Sequence, residues 1–599
     1  ITYTGDCMHI ITDSRDRILK TFQRQGLTFV FVMIVVLSLS LFGRLSYLML
    51  CKADHYGVMA KELHERERSI KAGRGLIYDR TGNVIAGNVS VSTISVIHSQ
   101  ITEPDKVVSV LSTELGLGEA DVRKKVEKVS LREKIKSNVP KEISDKIREY
   151  NLDGVMVDED YKRYYPYSTL ASHVIGFTGA DNQGIIGLEV SYDKYLQGID
   201  GAILTLTNAN GIEIENAAED RREPVSGNSL LLSLDINIQQ YAEQAAKKVM
   251  EQKSAKSARI IIMNPRNGEI YAMVNLPEFD LNSPFSLVNT DGTGVEESTG
   301  ASMDKLNNMW RNPCISDTYE PGSTFKIITA AAALEEGVVS LEDRFSCPGF
   351  ITVEDRRIRC HKAGGHGAET FKDGIMNSCN PVFITIGARL GVDNFYKYIR
   401  QYNVLAKTGV DLPGEAGTIF HKKDNVGAVE LATISFGQSF QITPLRLMAS
   451  ASAIINGGHT ITPHFGVAVK DEDSDAITKI EYESEDGVLS GKTSDTMRYL
   501  LESVVSEGTG RKAYVEGFHV GAKTGTSEKL PRRSGKYIAS CLGFAPATNP
   551  EVMALVLVDE PQGVYYGGTI AAPVIAELFE NILPYLGVEK DTVTIDSEN

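Results

Sequence analysis

The sequence predicts an α+β protein with one membrane-spanning helix and two folded regions behind it, and three observations carry that reading. A single uncharged apolar run stands near the N-terminus. A charged, Gly-punctuated region of short strand-like and helical segments follows, up to a polar stretch at Glu219–Asn228. Beyond it, strand-like runs at both ends enclose helical ones, which suggests a sheet with helices packed on it.

The chain has 599 residues, room for roughly three or four domains. With 42% hydrophobic and 23% charged residues, wholesale disorder, collagen and coiled coil are excluded. Lys+Arg 62 against Asp+Glu 78 gives a net charge of −16, which leaves no broad basic face and speaks against nucleic-acid binding. Seven cysteines are too sparse for a disulfide-built scaffold.

Gly26 to Gly43 is uncharged over 18 residues and is preceded by Arg15, Arg17, Lys20 and Arg24. At 1.5 Å per residue this reaches about 27 Å, close to the hydrocarbon thickness of a bilayer, and Tyr47 to Leu50 extend it. The run is longer than a signal-peptide core and no small-x-small cleavage site follows, so an anchor is expected over a cleaved signal. The basic flank places 1–25 in the cytoplasm, 26–50 in the membrane, and the rest of a single-pass cell-membrane protein outside the cytoplasm.

Residues 53–225 form a non-catalytic α+β pedestal in this reading. Ser92–Ile97 and Ile203–Thr207 read as strands, Glu119–Val126 and Lys141–Tyr150 as helices. The second domain is expected over 230–585, with 586–599 a polar tail. Within it Ile238–Met250 has helical spacing, and Arg259–Met263 and Glu269–Val274 read as a hairpin around Asn264-Pro-Arg-Asn-Gly268. Tyr537–Phe544 and Val552–Asp559 read as late strands.

Ser323-Thr-Phe-Lys326 follows Glu320-Pro-Gly322 and opens the apolar run IITAAAALEE, so Ser323 is expected at a helix start. Residues i and i+3 share a helix face, and a desolvated Lys326 can serve the Ser323 hydroxyl as base. Alone the pattern is weak, since Ser191–Lys194 and Ser302–Lys305 also match. Ser378-Cys-Asn380 and Lys523-Thr-Gly525 then follow in order, completing the S-x-x-K, S-x-N, K-T-G set of penicillin-recognising serine enzymes. Ser226–Asn228, Ser597–Asn599 and Lys407–Gly409 also fit single elements. Lys523 is favoured because it precedes two strands, whereas Lys407 runs into the turn-like Asp411-Leu-Pro-Gly414. Taken singly, Ser323 reads equally as a plain N-cap and Lys326 as a solvated charge; the ordered set decides.

With Arg74-Gly-Leu-Ile-Tyr-Asp79-Arg80-Thr-Gly82, and with Arg163-Tyr-Tyr-Pro166 before His173, Gly176 and Phe177, the chain resembles the class B penicillin-binding proteins. These are the monofunctional peptidoglycan D,D-transpeptidases, and the likeness is to their division and sporulation-specific type. It implies a penicillin-binding transpeptidase domain built as an antiparallel sheet with helices on both faces. It implies Ser323 as the acylated nucleophile, Lys326 as its proton acceptor, Ser378 as proton relay and Asn380 as a hold on the substrate amide. Lys523, Thr524, Gly525 and Thr526 would bind the substrate carboxylate and peptide backbone, and the Ser323 and Thr526 N–H groups would form the oxyanion hole. Expected partners are stem peptides, the lipid-linked precursor, a membrane-embedded glycan-strand polymerase near Arg74–Gly82, and β-lactams as covalent inhibitors. No organic cofactor is implied. The sequence departs from the family pattern in carrying no PASTA repeats after residue 585, and in Asn264 where Asp is expected beside Pro265. A D,D-carboxypeptidase or β-lactamase shares the motifs, and a β-lactam sensor or scaffold is the reading from a different class.

Cys347, Cys360, His366 and Cys379 lie within 33 residues in a Gly-rich segment ending at the S-x-N motif. Three cysteines and a histidine suit a closed, structural zinc site, while a Cys347–Cys360 disulfide and free thiols are the alternatives. The resemblance favours zinc, since some members carry it near the active site. Cys314 and His361 are reserve ligands.

Overall fold

The computed structural model describes residues 6–53, 55–56, 65–130, 132–206, 220–288, 295–296 and 303–590. Contacts divide the chain into two compact units, one of residues 1–70, 93–158 and 201–223, the other of 71–92, 159–200 and 224–599.

The first unit opens on the helix Asp6–Ser46, continued by a π-helical turn at Tyr47–Cys51. Arg24–Cys51 is long and apolar enough to cross a membrane, with a mean hydropathy of 2.4 and none of its most apolar stretch buried. The helices Pro104–Leu115, Glu119–Val126 and Lys141–Glu149 and the strand Glu133–Pro140 close a small core around Val107, Leu111, Val122, Ile135 and Ile147. Pro104 starts its helix and Gly116, at φ +63°, ends it, each where its backbone geometry costs least. The strand expected at Ile203–Thr207 is Gly201–Leu206, paired with Glu65–Ile70; Thr207 lies outside the described residues.

In the second unit five antiparallel strands run in the order Ile270–Leu276, Ser257–Met263, Val552–Asp559, Tyr537–Ala545, Gly521–Glu528. Three of these strands are almost continuously apolar, because both faces of the sheet are covered. Ile260, Ile262, Ala554 and Val556 point into one layer, against the helices Ile236–Gln252 and Ala572–Tyr585. Ile261, Met263, Met553 and Leu555 point into the other, which holds the helices Lys326–Glu335, Asn380–Gln401, Pro444–Ile455 and Gly491–Ser506. Successive residues therefore serve opposite layers, as the pleat demands. The fold is the sheet with helices on both faces that the family resemblance implies. Gly268 closes the first hairpin at φ +86°, where a Cβ would lie 2.4 Å from Thr462 O. Asn264 caps the same turn by accepting from Arg266 N at 2.9 Å, a role its amide oxygen fills as a carboxylate would.

Arg74 and Arg163, from the two early motifs, meet in this unit. Both donate to Glu189, each at 2.7 Å, and Arg74 also donates to Asp193 at 2.7 Å. The Arg74 side chain is buried and offers a partner no surface. It is an ion-paired strut, and its loss would take from the buried Glu189 carboxylate one of the two guanidinium groups that hold it.

A second buried group sets a pH effect. Burial pushes the Glu278 carboxyl well above the usual carboxylate range, and the charge of neighbouring Glu243 pushes it further. A carboxyl whose folded pKa is raised contributes fully to stability below its unfolded value and loses that contribution as pH rises through the folded value. Glu278→Gln, a neutral isostere, is therefore expected to raise the unfolding midpoint near pH 8 by about 1–3 °C and to flatten its decline with pH. Calorimetric scans of both proteins across pH check this; parallel declines would refute it.

Candidate active site

The Ser323 turn is built by close backbone packing. Gly322–Phe325 is a 3-10 turn running directly into the buried helix Lys326–Glu335. Three residues per turn bring positions i and i+3 into register, which sets Ser323 beside Lys326. Gly322, at φ +57°, donates to Gly437 O at 2.9 Å, and a Cβ on Gly437 would lie 2.0 Å from Gly322 O. Only glycines allow that approach, and it fixes the direction of the turn.

Ser378 is positioned by a helix end. The helix Phe371–Met376 finishes with Ser378 N donating to Ile375 O and Cys379 N donating to Gly374 O, a Schellman closure. Glycine usually occupies the left-handed position of that closure; here Ser378 takes it, at φ +54°. Strain of about 1–2 kcal/mol is held at this residue, and it turns the hydroxyl toward two amines. Lys523 Nζ donates to Ser378 Oγ at 2.9 Å, and Lys326 Nζ donates to Ser378 Oγ at 3.2 Å, to Ser378 O at 2.7 Å and to Asn380 Oδ1 at 2.8 Å. Asn380 Nδ2 donates to Arg359 O at 3.1 Å, so its amide serves Lys326 at one end and the backbone at the other.

Both lysines are 1% exposed. Burial brings the Lys326 amine down to about 7, with nearby thiols and Glu369 opposing the shift. Burial brings Lys523 well below its ordinary value too, and the Lys326 charge adds to that shift. Two amines against one hydroxyl resist carrying both charges, and an anion arriving beside Lys523 would restore its proton.

Lys523 lies on the strand Gly521–Glu528, the outer strand of the five, paired with Tyr537–Ala545 on one side only within the sheet. Gly525 faces the serine turn; a Cβ there would meet Ser540 Oγ at 2.5 Å and Thr324 Cγ2 at 3.1 Å. Thr526 Oγ1 accepts from Gly567 N at 3.0 Å, and Thr524 Oγ1 donates to Thr509 Oγ1 at 3.3 Å. Ser323, Ser378, Asn380, Thr524, Gly525 and Thr526 all line one cleft of about 650 Å³. No hydrogen bond joins Ser323 to the Lys326 amine; they are linked through the backbone, Lys326 N donating to Ser323 O. The cleft also takes in Thr509, Arg511, Tyr565 and Tyr566, which sequence reasoning missed. No short motif marks them, and the only sign is the glycine spacing of Gly508-Thr-Gly510 and Gly567-Gly568.

The rival matches fall elsewhere. Lys194 stacks over Tyr195, and Lys407–Gly409 lines a different cavity. Ser302 and Ser597–Asn599 lie outside the described residues.

Cys347, Cys360, His366 and Cys379 converge, their ligand atoms all within 4.8 Å of one another. The pairing of Arg344–Cys347 with Gly367–Thr370 brings the first and third segments together. Gly365, at φ +73°, is required because a Cβ there would lie 2.1 Å from Cys347 O. Cys379 is fully buried and turned into this cluster, while its neighbours Ser378 and Asn380 face the cleft, a division that accompanies the left-handed Ser378. Cys360 Sγ is 3.6 Å from His366 Nδ1, and the Cys379 thiol hydrogen-bonding to Cys360 favours a thiolate at Cys360. Glu369 Oε2, buried and without a hydrogen-bond partner, stands 3.8 Å from His366 Nδ1. This set is able to hold a metal ion. Of the reserve ligands, His361 Nδ1 lies 3.8 Å from Cys360 Sγ, whereas Cys314 bonds Asn275 outside the cluster.

Comparison with known proteins gives the same frame. The penicillin-binding protein transpeptidase domain matches residues 258–580, and the penicillin-binding protein dimerisation domain matches 69–232. Stage V sporulation protein D of Bacillus subtilis is 38% identical, over 94% of this chain and 86% of its own length. Peptidoglycan D,D-transpeptidase FtsI of Escherichia coli is 27% identical over 93% and 91%. The crystal structure of penicillin-binding protein 2X from Streptococcus thermophilus superposes with a TM-score of 0.71 at 22% identity, covering 87% of this chain and 81% of that one.

Proposed function

The chain belongs to the penicillin-binding transpeptidases, serine-type peptidoglycan D,D-transpeptidases of cell-wall synthesis, and from that premise we propose which of its residues carry the reaction and where. The observation that supports the assignment is the Ser378 hydroxyl held between two buried amines, Lys326 and Lys523, in the lining of the cleft that also takes in Ser323.

A stem peptide ending in D-Ala-D-Ala lies antiparallel along the free edge of Gly521–Glu528. Its terminal carboxylate meets Lys523 and the Thr524 and Thr526 hydroxyls, with Gly525 allowing the close approach. Ser323 Oγ attacks the carbonyl of the penultimate residue and gives its proton to the neutral Lys326 amine. The N–H groups of Ser323 and Thr526 take the developing oxyanion, where one donor is worth about 3–4 kcal/mol. Ser378 passes a proton to the leaving D-alanine amine, and Asn380 holds Lys326 and the substrate amide in place. A neighbouring stem amine then attacks the acyl-enzyme, freeing Ser323 and closing the cross-link. β-Lactams acylate the same oxygen.

The functional division is a pedestal at 53–225 and a catalytic domain at 230–585, held by the 26–50 anchor on the outer side of the cell membrane. A membrane-embedded glycan-strand polymerase that supplies strands from the lipid-linked precursor is the proposed partner, and division or sporulation the setting.

Labelled penicillin followed by turnover of a stem-peptide donor, with and without an amine acceptor, tests the reading. Acceptor-dependent cross-linking is expected. Release of D-alanine at one rate with or without the amine would make the protein a hydrolase, and acylation without turnover a sensor.

For the Cys/His cluster we propose zinc in a structural role. Three thiols and an imidazole are a soft, tetrahedral donor set. Bound metal would tie the Ser378 turn to the 347–366 segment; with four protein ligands it has no open position for water. Protein prepared without chelators is expected to contain about one zinc per chain, and its removal to lower the unfolding midpoint and slow acylation. Metal-free protein with unchanged stability, or a Cys347–Cys360 disulfide by mass spectrometry, would remove zinc and leave the serine chemistry in place.

A further inference from the structure

Arg446 is a largely buried guanidinium with no acid hydrogen-bonded or ion-paired to it. It stands in the first turn of the helix Pro444–Ile455 and is 5% exposed. Its Nε donates to Ser450 Oγ at 3.3 Å, and its terminal nitrogens have no hydrogen-bond or ion-pair partner among the described residues. Glu415 exerts the one attraction that opposes the loss of its proton on burial, yet the Glu415 oxygens accept from Thr408 N and Gly409 N instead. A guanidinium so largely removed from water is stabilised by an anion placed against it, and the positive end of its own helix adds to that preference.

The missing anion has a place to sit. Arg446 lines a cavity of about 430 Å³, a size suited to a small ligand, which shares no lining residue with the catalytic cleft. The exposed part of this cavity's lining has the opposite charge. Exposed Glu481, Glu483 and Glu485 alternate along an extended segment, pinned where Thr460 N donates to Glu485 O at 2.8 Å and Thr462 Oγ1 to Glu483 O at 2.9 Å. Residues two apart on such a segment share a side. Besides Arg446, Lys407 is the cation that lines this cavity. A plain anion would be repelled by these carboxylates, whereas a molecule with a carboxylate at one end and an ammonium at the other matches both the buried and the exposed part of the lining.

We propose that this cavity binds a small zwitterion of the amino-acid type, its carboxylate against Arg446 and its ammonium among Glu481, Glu483 and Glu485. D-Alanine, the amino acid that a D,D-transpeptidase releases, has this chemistry, and in naming it the inference rests on that reading; the charge pattern itself does not.

The test uses the full chain in detergent, first acylated with penicillin so that the catalytic cleft is filled, and titrated with D-alanine, glycine, propionate and alaninamide. Saturable binding of the two amino acids is expected, with propionate and alaninamide, each lacking one charge, at least tenfold weaker. Arg446→Gln should weaken amino-acid binding at least tenfold while leaving the rate of penicillin labelling unchanged. Because that variant alters the interior, a second with Glu481, Glu483 and Glu485 all replaced by glutamine should weaken D-alanine but not propionate. No saturable binding, equal binding by Arg446→Gln, or propionate as tight as D-alanine would overturn the proposal. Failure of penicillin to acylate the protein would instead count against the catalytic reading, and the Arg446 comparison would still decide this one.

Discussion

Ser323→Ala is expected to abolish covalent labelling by penicillin, lowering acylation by about 10⁴-fold or more, because the oxygen that forms the bond is gone and no neighbouring group replaces it. The fold should survive. Ser323 is half-buried at the cleft and its side chain contributes no hydrogen bond to the turn, which is fixed by Gly322, Gly437 and the backbone. An unchanged unfolding midpoint together with lost labelling is the expected pair of results. Labelling that persisted would move the nucleophile to another residue, and mass spectrometry of the labelled peptide would locate it.

Replacing Lys326 has the next largest effect. Without its base, the Ser323 hydroxyl should acylate about 10²–10⁴-fold more slowly. Lys326→Ala also takes from Ser378 and Asn380 one of the groups that hold them, so the wild-type pH profile is the cleaner measurement. Burial brings the Lys326 amine to about 7, and its charged form cannot accept a proton. Acylation should therefore rise with pH through about 7 and level off above it, falling close to tenfold per unit on the acid side. Because Lys523 is depressed by the same burial and by the Lys326 charge, the midpoint belongs to the pair. A profile flat from about pH 5 to pH 9, with full activity in Lys326→Ala, would remove lysine as the base.

The glycines and the two lysines bear differently on what sequence reveals. The S-x-x-K, S-x-N and K-T-G segments are legible because each is a local arrangement: a 3-10 turn into a helix, a helix end, an edge strand. Each motif also had decoys of equal local quality, and what separated them in the chain was order and the strands following Lys523. The four residues of the Cys/His cluster were legible by type and spacing alone.

By itself, the sequence determined the membrane helix, the late strands, the hairpin at Asn264–Gly268 and the class of chemistry, since these depend on period, turn residues and short motifs that neighbours in the chain define. Only the tertiary structure decided three further things. It turned Lys326 toward Ser378 and Asn380, a contact across more than 50 residues. It buried Arg74 against Glu189, where the sequence suggested a motif available to a partner. It also left Arg446 inside without a paired acid, in a helix whose apolar pattern reads as ordinary core. The reason is common to all three: a side chain's charge state and partner depend on how much water the whole fold removes from it and which distant groups replace that water, and neither quantity is carried by local pattern.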